Sequence, residues 1–95
     1  MAASSATLHE ESTQLGPEAI DQHRATVSLM EELEAADWYN QRALATQDPE
    51  LRAILIHNRD EEKEHAAMLL EWLRRYDEAL SDHLKTYLFS DGPIR

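Results

Sequence analysis

Ninety-five residues allow one domain at most, and a chain this short buries only ~60–65% of its unfolded surface if it folds alone, so partners are expected. Nine basic against nineteen acidic residues give a formal charge of −10, which argues against nucleic acid or an anionic membrane as partner and favours cations. The absence of cysteine excludes disulfides and thiolate metal sites and suits a cytoplasmic protein, and no run approaches the ~20 apolar residues of a membrane span.

Only two Gly and three Pro, with few β-branched residues, favour helix nearly everywhere, so the expected fold class is all-α. Residues 1–15, including "MAASSATLHEESTQ", lack the basic and apolar regions of a signal peptide and read as a disordered arm. The single helical domain is then expected over residues 16–95. Its first helix runs over about 17–46, with Pro17 tolerated in the first turn and Glu18 suited to the positive end of the dipole. "TQDPEL" supplies the break: Asp48 is a candidate N-cap and Pro49 a preorganised first residue for a second helix over 49–76. Each helix is about 42 Å long, and so short a connection predicts an antiparallel hairpin. A shorter third helix is expected over 78–89, stopped by Gly92 and Pro93.

Alternating steps of four and three residues along the second helix give Leu51, Leu55, Asn58, Glu62, His65, Leu69, Trp72 and Tyr76. The apolar ends of this seam flank a polar centre. The same walk on the first helix gives Ala25, Leu29, Glu32, Ala36, Tyr39 and Ala43, with one acid in its middle. Burying an unpaired carboxylate costs several kcal/mol, which a domain whose total stability is roughly 5–10 kcal/mol cannot absorb without compensation. Glu32 and Glu62 therefore need a cation. Glu32 lies about as far before Asp48 as Glu62 and His65 lie beyond it, so the hairpin brings all three to one level.

One Glu plus a Glu-x-x-His pair is half of the di-iron ligand set of four-helix bundles. Two copies of this chain, paired about a two-fold axis, would complete both the bundle and the site. Carboxylates are hard ligands that can bridge two cations, and the imidazole raises affinity for transition metals over Mg(II) or Ca(II). Tyr39, two turns from Glu32 on the same face, is placed to hydrogen-bond a ligand or lie beside the cluster.

Plainer explanations stand beside these. A lone Glu-x-x-His pair on an acid-rich helix is commonly solvated, and only its place on an apolar seam opposite a second acid makes it specific. Tyr39, Trp38 and Trp72 also suit core or interface packing. Glu31 and Glu34, beside Trp38, form an acidic patch that is either a solvated surface or a path for cations. His57, Glu61 and Glu64 form another stripe, which reads as a solvated face. His9, His23 and His83 have no matching carboxylates.

"EELEAADWY", "HNRDEEKEHAAMLLEWLRR" and "LKTYLFSDGPI" resemble the encapsulated ferritins, ferritin-like cargo of encapsulin nanocompartments, over nearly the whole chain apart from the arm. The resemblance implies two-helix protomers that pair into a ferritin-like four-helix bundle with a di-iron ferroxidase centre at the dimer interface. Glu32, Glu62 and His65 of each partner would be the ligands, with Tyr39 close by and two irons per dimer. It further implies a ring-shaped homo-oligomer held partly by the C-terminal helix, and iron mineralised within the encapsulin shell. Glu31 and Glu34 resemble an acidic entry site next to Trp38, and His57, Glu61 and Glu64 match a weaker outer metal site. Members of this family continue past "GPI" to a short targeting peptide, whereas this sequence stops at Arg95.

The expected function is therefore ferroxidase: Fe(II) is oxidised by dioxygen at a shared site, in a cytoplasmic nanocompartment. The rivals are a metal-stabilised helical assembly module without turnover and a rubrerythrin-like oxidase or peroxidase. The second rival usually carries more Glu-x-x-His ligands in one longer chain.

Overall fold

The computed structural model describes residues 7–95 and contains three helices among them: α1 (Ser12–Ala45), α2 (Pro49–Tyr76) and α3 (Glu78–Tyr87). α1 and α2 pack as an antiparallel hairpin, and α3 packs on α2. None of these helices is long and apolar enough to cross a membrane.

Local chemistry sets the boundaries. Asp48 caps α2, its side chain accepting from the Glu50 and Leu51 backbone N–H groups at 3.0 and 3.4 Å, and Pro49 follows as first helical residue. Asp77 leaves helical geometry (φ −136°, ψ 100°) and serves both as the end of α2 and as the cap of α3, accepting from Leu80 N–H at 3.0 Å. The last turn of α1 carries carbonyls without helical partners. Arg52 takes up one of them, donating from Nε to the Ala43 carbonyl at 3.0 Å, and donates from Nη2 to the carbonyl of Thr46, the residue just beyond α1.

Two expected boundaries need correction. Residues 1–6 of the polar arm lie outside the described residues, but residues 12–15 already form a helical turn ahead of Pro17. Gly16 then breaks the helix at φ 81° and ψ 166°, a conformation nearly restricted to glycine. At the other end α3 stops at Tyr87 instead of residue 89, before Gly92 and Pro93 can act. Leu88 turns extended and Phe89 adopts φ 59°, so backbone geometry at these two residues ends the helix.

The hairpin contact is built from small side chains. The buried apolar residues are Ala25, Ala36 and Ala43 of α1 and Ala66 of α2. The α1 stripe is as expected, but the buried residue on α2 lies one place beyond His65. The seam ends Leu51 and Tyr76 are 44% and 62% exposed. Two helices share only one line of contact, so side chains flanking that line stay uncovered. Leu33, Ile54 and Met68 are more than half exposed, and no large side chain is fully buried among the described residues.

Candidate metal centre

α1 supplies Glu32 and α2 supplies Glu62 and His65, and one ligand atom from each lies within 4.8 Å of the others. His65 Nδ1 is 3.4 Å from Glu32 Oε2 across the hairpin and 3.4 Å from Glu62 Oε2 on its own helix. The helical i, i+3 spacing puts Glu62 and His65 on adjacent turns of one face, and the antiparallel register brings Glu32 to their level. The cluster is half-buried: the carboxylate side chains are 26% and 23% exposed, while the imidazole is 43% exposed. One side of the cluster therefore faces away from the hairpin.

The electrostatics show two acids sharing little space. Glu32 is held above the ordinary carboxylate value, first by its hydrogen bond with Glu62, then by burial and the Glu62 charge; His65 opposes these. For His65, desolvation pulls the imidazole down, and the hydrogen bonds and charges of Glu32 and Glu62 together outweigh it, so its value rises. The apo cluster thus keeps protons that a cation would displace. Hard carboxylates combined with an imidazole fit a transition metal such as iron better than Mg(II) or Ca(II).

The other expected residues are arranged differently. The Tyr39 ring lies under the Arg42 guanidinium, 5.4 Å from it, in a cation–π contact. Glu31 is exposed and Glu34 half-buried on α1, and Trp38 is 49% exposed beside Gln41 and Arg42. His57 Nε2 meets Glu61 Oε1 at 3.7 Å on an open face. Glu64 instead lines a shallow groove with Met68, Glu71 and Trp72. Among the described residues of one chain, neither the Glu31–Glu34 patch nor the His57–Glu61–Glu64 stripe gathers three ligands; Glu32, Glu62 and His65 do.

Sequence periodicity missed the arginines that cross between elements. Arg59 Nη1 donates to Asn40 Oδ1 at 3.0 Å, linking α2 to α1. Arg74 makes a two-pronged pair with Glu71 at 2.6 and 2.7 Å and donates to buried Ser81 Oγ at 3.0 Å, tying α3 to α2. An arginine near an apolar line is a recognisable signal, since a part-buried guanidinium must find acceptors, but a single sequence does not say which.

Comparison with known proteins accords with this architecture. The family model described as EncFtn-like matches residues 7–91. An encapsulated ferritin-like protein of Rhodospirillum rubrum is 64% identical over 94 residues, covering 99% of this chain and 67% of that protein. A ferritin-like protein of Thermotoga maritima is 55% identical over 86 residues, covering 90% and 75% of the two chains. The encapsulin nanocompartment cargo protein EncB of Myxococcus xanthus is 38% identical over 63 residues, 66% of this chain and 40% of its own. A crystal structure of a Nitrosomonas europaea protein superposes with a TM-score of 0.88 at 61% identity, covering 92% of this chain and 96% of that one. Fold, cluster and matched length agree: the chain belongs to the EncFtn-like family of encapsulated ferritin-like proteins.

Proposed function

We propose that this protein is a ferroxidase that oxidises Fe(II) to Fe(III) with dioxygen at a di-iron site shared by two chains. The observation that carries the reading is the cluster itself: two carboxylates and an imidazole from two helices, within 4.8 Å, with the imidazole side open. One chain supplies half the ligand set of a di-iron bundle, and a two-fold partner supplies the rest. Each Fe(II) gives up one electron to dioxygen, and pairing lets two electrons leave from one place. Two carboxylates from each chain balance the charge of two Fe(II) ions and fall short for two Fe(III) ions, which favours departure of the product toward a mineral.

Tyr39 is proposed to lie near the completed site, Glu31 and Glu34 to gather incoming Fe(II) beside Trp38, and His57, Glu61 and Glu64 to bind metal weakly on the outer face. The dimers are proposed to build a ring-shaped homo-oligomer inside an encapsulin nanocompartment of the cytoplasm, a partner supported by relatives named as encapsulin cargo.

Glu32→Ala, Glu62→Ala and His65→Ala should each reduce Fe(II) oxidation to the background rate, followed by ferric absorbance and oxygen uptake. Wild-type rates in all three would remove the site assignment. The open face of the cluster also favours a second reading, a metal-stabilised assembly module. That module would change oligomer size with Fe(II) or Zn(II) yet take up no oxygen above background.

A further inference from the structure

Four contacts across the hairpin share one register. Gln22 Nε2 donates to the Tyr76 carbonyl, His65 meets Glu32, Arg59 donates to Asn40, and Arg52 donates to the Ala43 carbonyl. Their sequence separations fall from 54 to 33, 19 and 9 residues, so every pair is centred close to Asp48. The Arg52 contact sits at the turn, where the short connection already limits sliding. The Gln22 contact is long, at 3.4 Å, and exposed. Arg59–Asn40 stands between the turn and the cluster, with a part-buried guanidinium oriented twice: Nη1 to Asn40 at 3.0 Å and Nε to Asp60 at 2.9 Å.

Arg59 also precedes Glu62 by three residues, one turn along the same face of α2. Fixing its height against α1 therefore fixes the height of Glu62 and His65. The margin is narrow: sliding by one residue moves a helix ~1.5 Å and by one turn ~5.4 Å, while the three ligand atoms occupy 4.8 Å. The Arg59 guanidinium is held by Asn40 and Asp60, so its hold on the cluster is one of position.

We propose that Arg59 and Asn40 are a positioning pair that sets the register of α2 against α1 and thereby the affinity and geometry of the Glu32–Glu62–His65 metal site. The proposal rests on the reading of that cluster as a metal site. Neither residue touches the metal in this account; the pair acts through the helix backbones.

The test is Co(II) titration of the full chain followed by visible absorption, with thermal unfolding measured in parallel. Arg59→Met keeps the aliphatic stem, and Asn40→Leu removes the acceptor at similar size. Each should weaken Co(II) binding about tenfold and shift the absorption envelope, and the double variant should bind no more weakly than the singles. Asn40→Asp, which retains an acceptor, should keep wild-type affinity and spectrum. If Arg59→Met does not fold, the contrast between Asn40→Leu and Asn40→Asp carries the same comparison. A lowered melting temperature with an unchanged Co(II) affinity and spectrum would reduce the pair to ordinary stability and overturn the proposal. Glu32→Ala separates the two claims: wild-type binding there overturns the metal-site reading itself, whereas lost binding there with unchanged Arg59→Met and Asn40→Leu overturns only the positioning role.

Discussion

At the proposed metal site, protons held by Glu32 and His65 would compete with a cation, with opposite effects on apo stability and on affinity. Glu32 is raised above its ordinary 4.5, chiefly by Glu62, and His65 above its ordinary 6.5 once its two carboxylates outweigh desolvation. In the windows just above those values the folded apo chain holds more protons than the unfolded chain, so apo stability falls as pH rises through them. Metal binding must expel those protons, so affinity rises over the same range. Urea unfolding of metal-free protein should therefore show a midpoint that declines as pH rises above 4.5 and again above 6.5, while Co(II) affinity climbs. His65→Gln should flatten the upper part of the stability decline; an unchanged slope in that variant would remove His65 as its source. The sequence made these three residues legible because a carboxylate on an apolar seam is costly. It did not reveal the Arg42–Tyr39 contact, since a cation over a ring depends on rotamers that periodicity does not carry.

Helices and their joints follow from caps and breakers. Asp48 was readable from Asp-Pro-Glu alone, and its two accepted N–H bonds should make Asp48→Ala cost about 1 kcal/mol in thermal unfolding; no change would mean that the cap contributes nothing. The joint between α2 and α3 was less legible, because it rests on Glu71 gathering Arg74 and Arg75 while Arg74 reaches Ser81. Arg74 first, then Arg75, lowers Glu71 to about 2. A depressed carboxylate stabilises the folded state above its unfolded value of 4.5 and loses that contribution as pH falls toward 2. Amide exchange in α3 should therefore accelerate relative to α1 between pH 4.5 and about 2, and Glu71→Gln should bring that acceleration to neutral pH. Uniform exchange across both helices would contradict the joint. Gly16 breaks the helix just ahead of the expected start at Pro17, whereas the end of α3 was misjudged because the φ of 59° at Phe89 is a choice of the backbone that flanking composition did not announce.

The chain leaves much apolar surface uncovered. Its accessible surface of 7472 Å² exceeds the ~5,600 Å² of a compact protein of this 10.9 kDa mass, and its 16.6 Å radius of gyration exceeds the ~12 Å of a compact chain. Exposed Leu33, Ile54 and Met68 flank a contact line made of alanines. The expectation of a partner came from length alone, and the class of helix pairing was legible from the breaks at Asp48 and Asp77. The side-chain line that α2 turns toward α1 was shifted, because the expected seam describes a bundle of four helices and a single chain supplies two. A second chain, as proposed, would cover the exposed apolar side chains and complete the ligand set at the open side of the cluster. Anaerobic Fe(II) titration followed by native mass spectrometry tests this most directly. A site shared by two chains should saturate at two irons per pair of chains, with dimers and larger assemblies gaining iron together; one iron bound independently by each monomer would rule the shared site out.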